Sequence, residues 1–194
     1  NKNVTFERVA QLHWQQTRQT KPGRYLLTCD TTDINHYWRK ATTGLGMLGD
    51  GKGRGLQLHS CLMYDCNEKQ IHGIGGALVC YRKLRSKNET KMQRLNRDRE
   101  SNVWGKLVDQ VGSAPDGSQW IHVWDRGGDN FEAICHIFLT GNDWVIRAAQ
   151  THRNVFTEDG RKMPLRDATQ EARLLGSYEL NLRSRTGVAA RTAK

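Results

Sequence analysis

Two aspartates stand where a carboxylate needs a reason. Asp30 ends the apolar run RYLLTCD, residues 24 to 30, and Asp125 ends WIHVWD, residues 120 to 125. A charge that closes an apolar strand is costly unless it is paired, hydrogen-bonded or bound to a cation. If the two strands are parallel neighbours, both side chains emerge at one edge of a sheet, beyond the strand carboxyl ends, where the active sites of such sheets lie. Two or three carboxylates converging there form a site for hard divalent cations. Two such ions can activate a nucleophile and stabilise a leaving oxygen in phosphoryl transfer. Spacing alone leaves a second possibility open, that each aspartate caps the turn after its strand.

Other constellations are weaker. The five cysteines are odd in number and sit mostly in apolar stretches, which reads as small buried hydrophobes in a reducing cytosol. His59, Cys61, Cys66 and His72 match no compact zinc-ligand spacing. Gly44, Gly46 and Gly49 fit G-x-G-x-x-G, but this loop runs into a strand, whereas a dinucleotide loop opens a helix. Gly46 to Lys52 starts like a Walker loop, but Gly53 stands where a magnesium-binding hydroxyl belongs. What remains is a flexible turn whose Lys52 and Arg54 can meet a phosphate.

The elements that must hold Asp30 and Asp125 follow from periodicity. Phe6, Val9, Ala10 and Trp14 predict a helix within residues 4 to 19, stopped by Pro22-Gly23. Strands are expected at 24–30, 55–65, 72–82, 120–125 and 143–149. Helices are expected near 101–111 and 129–140, and a short one near 165–175 before a strand SYELNLR, 177–183. Three strands, helix, strand, helix, strand implies a mixed sheet with helices on its faces. The character changes after Thr151, so residues 1–150 form the main domain and 151–194 an appendage.

The 194 residues carry 30 basic and 20 acidic side chains, a formal net charge of +10. That balance suits a polyanion, most often nucleic acid. Arg82, Lys83, Arg85, Lys87, Lys91, Arg94, Arg97 and Arg99 concentrate it in one segment, either as phosphate contacts or as a solvated loop. No apolar run is long enough to span a membrane.

Four stretches in order resemble the bacterial DDE transposases of the IS-four insertion-sequence family: CDTTDINHY at 29–37, GLGMLGDGKGRGLQLHS at 44–60, RESNVW at 99–104, and HVWDRGGDNFE at 122–132. The last is similar to the family's Asp-Arg-x-x-Asp motif around the second acid. The resemblance implies an RNase H-like core, a mixed five-stranded sheet flanked by helices, followed by the start of an inserted β-rich subdomain. It implies that Asp30 and Asp125 are the first two catalytic acids and hold Mg2+ or Mn2+. It gives Gly127 and Gly128 the task of leaving room for DNA. Thr31 and Thr32 are expected to support Asp30 through hydroxyl bonds. Arg126 and Asp129 are expected to pair with each other or with a neighbour. His59 either approaches the metal or is a core histidine bonded to backbone.

The resemblance further implies DNA partners, the transposon ends and the target, a homodimer in the full-length protein, and a bacterial cytoplasmic, nucleoid-associated location. The family's third acid, a glutamate in a Tyr-x2-Arg-x3-Glu-x6-Lys pattern, is missing; Glu171 and Glu179 do not fit it. The expectation is a chain cut from a longer transposase or a truncated element, inactive alone, with an uncovered apolar patch near Asp30 and Asp125. Two rivals stand beside it: a catalytically dead DNA-binding remnant, and an RNase H-like nuclease that does not transpose.

Overall fold

Helix α1 (Phe6–Arg18) starts at Thr5, whose hydroxyl accepts the Arg8 amide at 3.2 Å, satisfying one N–H that a helix start leaves without a partner. The computed structural model describes residues 4–49, 51, 53–82, 88, 90–96 and 99–193. The chain forms two compact units, Asn1–Ala149 and Gln150–Lys194. In the first, α1 is followed by β1 (Gly23–Asn35), β2 (Gly46–Leu48), β3 (Gly53–Asp65) and β4 (Gln70–Cys80). Next come α2 (Lys91–Asn96), α3 (Asn102–Val111), β5 (Ser118–Trp124), a 3-10 turn (Arg126–Gly128), α4 (Phe131–Leu139) and β6 (Asp143–Ile146).

The six strands form one mixed sheet. The path runs β2-β3-β1-β5-β6, and β4 also pairs with β3. β3 is antiparallel to β1, β2 and β4, whereas β1, β5 and β6 run parallel. β1 continues five residues past Asp30, through the polar stretch TTDIN. β3 pairs with all of it, from Tyr25↔Asp65 to Asn35↔Gly55, and polar side chains of the extension meet across the ladder. Gln57 Nε2 donates to Asp33 Oδ1 at 2.9 Å. Only glycine fits at position 55, where a Cβ would come within 2.0 Å of the Ile34 carbonyl oxygen. The glycine-rich loop contains a strand the sequence does not announce: β2 pairs Gly46–Leu48 with Gly53–Gly55.

Alternate residues of each strand point to opposite faces. One face carries Tyr25, Leu27 and Cys29 of β1, Cys61 and Met63 of β3, and Trp120 and Trp124 of β5, all buried. Trp104, Leu107, Val108 and Val111 of α3 and Ala133 and Ile137 of α4 close over it. α1 lies on the same side: the Arg18 guanidinium donates to the Gln110 carbonyl, and Trp120 Nε1 donates to Thr20 Oγ1 at 3.2 Å. The other face presents Leu26, Leu58, Leu62, Tyr64, Ile121 and Val123, half-buried, and Val145, exposed. The sequence predicts helices on both faces, but α1, α3 and α4 all pack on one.

The second unit is built from short ladders. β7 (Asn154–Phe156) pairs with β8 (Lys162–Pro164), and α5 (Leu165–Glu171) follows. β9 (Leu180–Leu182) pairs with β10 (Arg191–Ala193). α5 stops four residues before the expected end, and the expected strand 177–183 shrinks to three residues. No described residue of this unit is buried. Among the described residues, no helix is long and apolar enough to cross a membrane.

Candidate active site

β1 and β5 pair in parallel from Gly23↔Ser118 to Thr28↔Val123. That pairing stops two residues short of Asp30 and Asp125, which therefore follow it at the same end of two parallel neighbouring strands. By strand alternation both belong to the face that α1, α3 and α4 leave open, and both side chains are exposed. Each carboxylate is oriented by a backbone amide. Thr31 N–H donates to Asp30 Oδ1 at 2.7 Å, and Gly127 N–H donates to Asp125 Oδ1 at 2.8 Å. Asp125 is thus the N-cap of the 3-10 turn. Capping and ligation are compatible, because an ionised carboxylate has a second oxygen and further lone pairs.

The supporting residues are arranged differently from expectation. The Thr31 hydroxyl is 2.8 Å from His59 Nδ1 and does not bond Asp30; Thr31 supports Asp30 through its amide. Thr32 makes no hydroxyl bond to Asp30 among the described residues. His59 is fully buried, on the helix-covered face, against the Trp104 ring at 4.4 Å. Burial pushes it down to about 4, with nearby Asp30 pulling the other way, so it is a neutral core histidine bonded to a side chain. Asp129 Oδ2 accepts the Ala149 amide at 2.6 Å and so ties the 3-10 turn to the segment after β6; Arg126 is exposed. The two glycines serve packing. A Cβ at Gly128 would lie 2.6 Å from the Trp124 ring, and one at Gly127 would lie 3.2 Å from Trp104. They let the turn sit on the two indoles.

Under Asp30 and Asp125, on the covered face, lies a cluster that periodicity does not reveal. His122 is fully buried, and Cys29 faces Cys61 across β1 and β3. The Cys66 amide donates to the Arg24 carbonyl and the His36 amide to the Arg54 carbonyl. Even-numbered residues of β1 therefore occupy hydrogen-bonded positions. Cys29↔Cys61 is then a non-hydrogen-bonded pair, where Cα atoms approach to about 4.5 Å. The Cys61 thiol beside it holds the Cys29 thiol below its ordinary range, with help from His122 and Trp124, while Cys29 and burial push Cys61 up.

Of the basic residues, Arg54 donates to the Lys40 and Thr42 carbonyls at 3.3 and 2.7 Å. Arg82 forks onto Glu100 at 3.1 and 2.7 Å and reaches the Gly49 carbonyl at 2.8 Å. The Arg82 hydrogen bonds hold the Glu100 carboxyl below its ordinary range. Both guanidinium groups brace loops beside β2. Lys91 is exposed on α2 and Arg99 is half-buried. Lys52, Lys83, Arg85, Lys87, Arg97 and the Arg94 side chain lie outside the described residues.

No family model matches this chain, and no curated protein does. Among solved structures it is similar to Endonuclease V of Ciona intestinalis, in complex with a 24mer DNA containing an inosine followed by a ribo-adenosine. The identity is 11%, over 95% of this chain and 75% of that one, with a TM-score of 0.34. At that level of likeness neither fold nor function transfers.

The donor chemistry is that of hard cations. Two exposed carboxylates at the same end of neighbouring parallel strands would suit Mg2+ or Mn2+, which keep several waters and lean on substrate phosphates as well as on one or two carboxylates. Among the described residues, no group of three or more His, Cys, Asp or Glu could hold a metal ion. A cleft of about 400 Å³ lies elsewhere, between α3 and α4 on the covered side, and contains His136 Nδ1 at 2.7 Å from Asp109 Oδ1.

Proposed function

We propose that this chain is the catalytic core of a DDE transposase of the IS-four family, built on an RNase H-like sheet. Asp30 and Asp125 hold Mg2+ or Mn2+ for DNA strand cleavage and strand transfer. The observation that carries this reading is the parallel pairing of β1 with β5, which brings Asp30 and Asp125 to the same end of neighbouring strands. The antiparallel β1-β3-β4 meander, followed after α2 by α3, β5, α4 and β6, with β5 and β6 parallel to β1, supports the RNase H-like assignment. The net charge of +10 supports DNA as the partner; the transposon ends, the target and a second copy of the full-length protein belong to the proposal.

In this reading the Thr31 and Gly127 amides aim the two carboxylates. The Trp104–Trp124 layer beneath gives Asp125 a rigid base. Exposure keeps both carboxylates hydrated until a cation or DNA arrives. When bound, the ions supply Lewis acidity for in-line phosphoryl transfer. The sequence contains no Tyr-x2-Arg-x3-Glu-x6-Lys pattern for the family's third carboxylate. That absence favours one second reading, a DNA-binding chain that does not cut.

Manganese binding tests the proposal. Electron paramagnetic resonance of Mn2+ with the chain and duplex DNA should show retained ion, lost on Asp30→Asn or Asp125→Asn while both variants melt like the parent. Retention indifferent to both aspartates would end the assignment. DNA affinity should fall with salt at a log–log slope near −0.9 per phosphate contact. Plasmid nicking in Mn2+ then separates the two readings: nicking that depends on Asp30 favours the enzyme, and binding without nicking the non-cutting chain.

A further inference from the structure

Two aromatic rings stand in solvent where the chain leaves β1. Tyr37 is 64% and Trp38 58% exposed, in the segment HYWRK. The other tryptophans are at most 6% exposed, apart from Trp144 at 42%. Adjacent exposed rings form a local apolar patch, and such patches mark interaction sites when they are rimmed by polar residues.

The pair is held in place. Tyr37 N–H donates to Asn35 Oδ1 at 3.0 Å, and Arg39 N–H to the His36 carbonyl at 2.9 Å. Arg54 pins the far side of the loop through the Lys40 and Thr42 carbonyls. His36 and Tyr37 meet the Trp38 ring nearly perpendicularly, at 5.7 and 5.2 Å. Edge-to-face packing occupies a face of only one ring in each pair, whereas a parallel stack occupies a face of both. Arg39 and Lys40 follow at once, both exposed, and no acidic residue occurs from Ile34 to Gly49. Ordered rings beside cations form the combination that binds single-stranded nucleic acid: bases stack on the rings and phosphates meet the cations. The loop opens five residues beyond Asp30 along β1, roughly 17 Å at strand rise, on the strand that carries the carboxylate.

We infer that Tyr37 and Trp38 form a stacking platform for unpaired bases of a nucleic acid strand, with Arg39 and Lys40 holding its phosphates. The inference deepens the proposed function and rests on it for the identity of the polymer. It assigns to this loop the unpaired part of the strand that reaches Asp30.

The test uses the full chain in metal-free buffer, with a short oligothymidylate and a duplex of equal length. Single-strand binding should quench tryptophan emission in the parent and in Trp144→Phe, but not in Trp38→Phe. Replacing both Tyr37 and Trp38 by alanine should weaken single-strand binding about 5- to 100-fold and duplex binding far less, with an unchanged melting temperature. Quenching that survives Trp38→Phe, or equal losses for both polymers, overturns the platform and leaves the transposase reading intact. Failure of either polymer to bind the parent overturns both. Trp38 emission that ignores the oligonucleotide and answers an acidic peptide would assign the rings to a protein partner and refute the inference.

Discussion

The two faces of one sheet do opposite things with the same strands. Along β1, Tyr25, Leu27 and Cys29 are buried while Leu26, Thr28 and Asp30 are half-buried or exposed. Along β5, Trp120, His122 and Trp124 are buried while Ile121 and Val123 are half-buried, and Asp125, just past the strand, is exposed. The covered face supplies stability, at roughly 1.5–3 kcal/mol per fully buried large side chain. Polar groups buried there are neutral, as His59 is, or hydrogen-bonded, as Asp65 is by the Asn67 and Glu68 amides. The open face carries charge because water remains there to solvate it. Strand alternation thus sets a packed layer one residue from each candidate ligand, and separates what folds the protein from what would act on DNA.

The comparison can be broken first with leucines. Leu107→Ala, in α3 over the covered face, should cost about 2–5 kcal/mol. Leu62→Ala, on the open face, should cost well under half as much, read by urea denaturation of both. Equal losses would mean that the second face is also a sealed core. The next effect is in pH. His59 is held near 4 in the folded chain by burial, below its ordinary value near 6.5. The unfolded chain therefore binds a proton that the folded one refuses. This contribution is fully present above pH about 6.5 and lost as pH falls toward 4, by about 3 kcal/mol. Denaturant midpoints over that range should flatten in His59→Gln; an unchanged slope would place the titration elsewhere. The smallest effect sharpens the edge of the covering layer. Asn130 caps α4 by accepting the Glu132 amide at 3.0 Å, so Asn130→Ala should cost about 1 kcal/mol, measured by melting temperature.

Much of this arrangement is legible in sequence where burial is strong. Strands ending in Asp30 and Asp125 announce themselves because a charge interrupts an apolar run. The extension of β1 through TTDIN does not, because its stability comes from Thr31 and Asp33 meeting His59 and Gln57 across the ladder, and cross-strand polar pairs leave no mark on periodicity. β2 is hidden by glycines that look like a loop, although Gly55 is dictated by the Ile34 carbonyl. His59 and His122 read as polar, yet both are core. Gly127 and Gly128 also rest on Trp104 and Trp124, a packing role that the motif does not announce. In the second unit, β7, β8 and β10 bury nothing, so no apolar pattern betrays them.

The indoles of Trp104 and Trp124 lie 4.9 Å apart and tilted by 55°, with Gly127 resting on one and Gly128 on the other. Two chromophores that close and that skewed share their excitation. The folded chain should therefore carry a coupled near-ultraviolet circular dichroism band, with its source directly under the Asp125 turn. Any event that lifts or tightens that turn changes the distance or tilt on which the band depends. The molecule has an optical gauge beneath its candidate site, readable without a label.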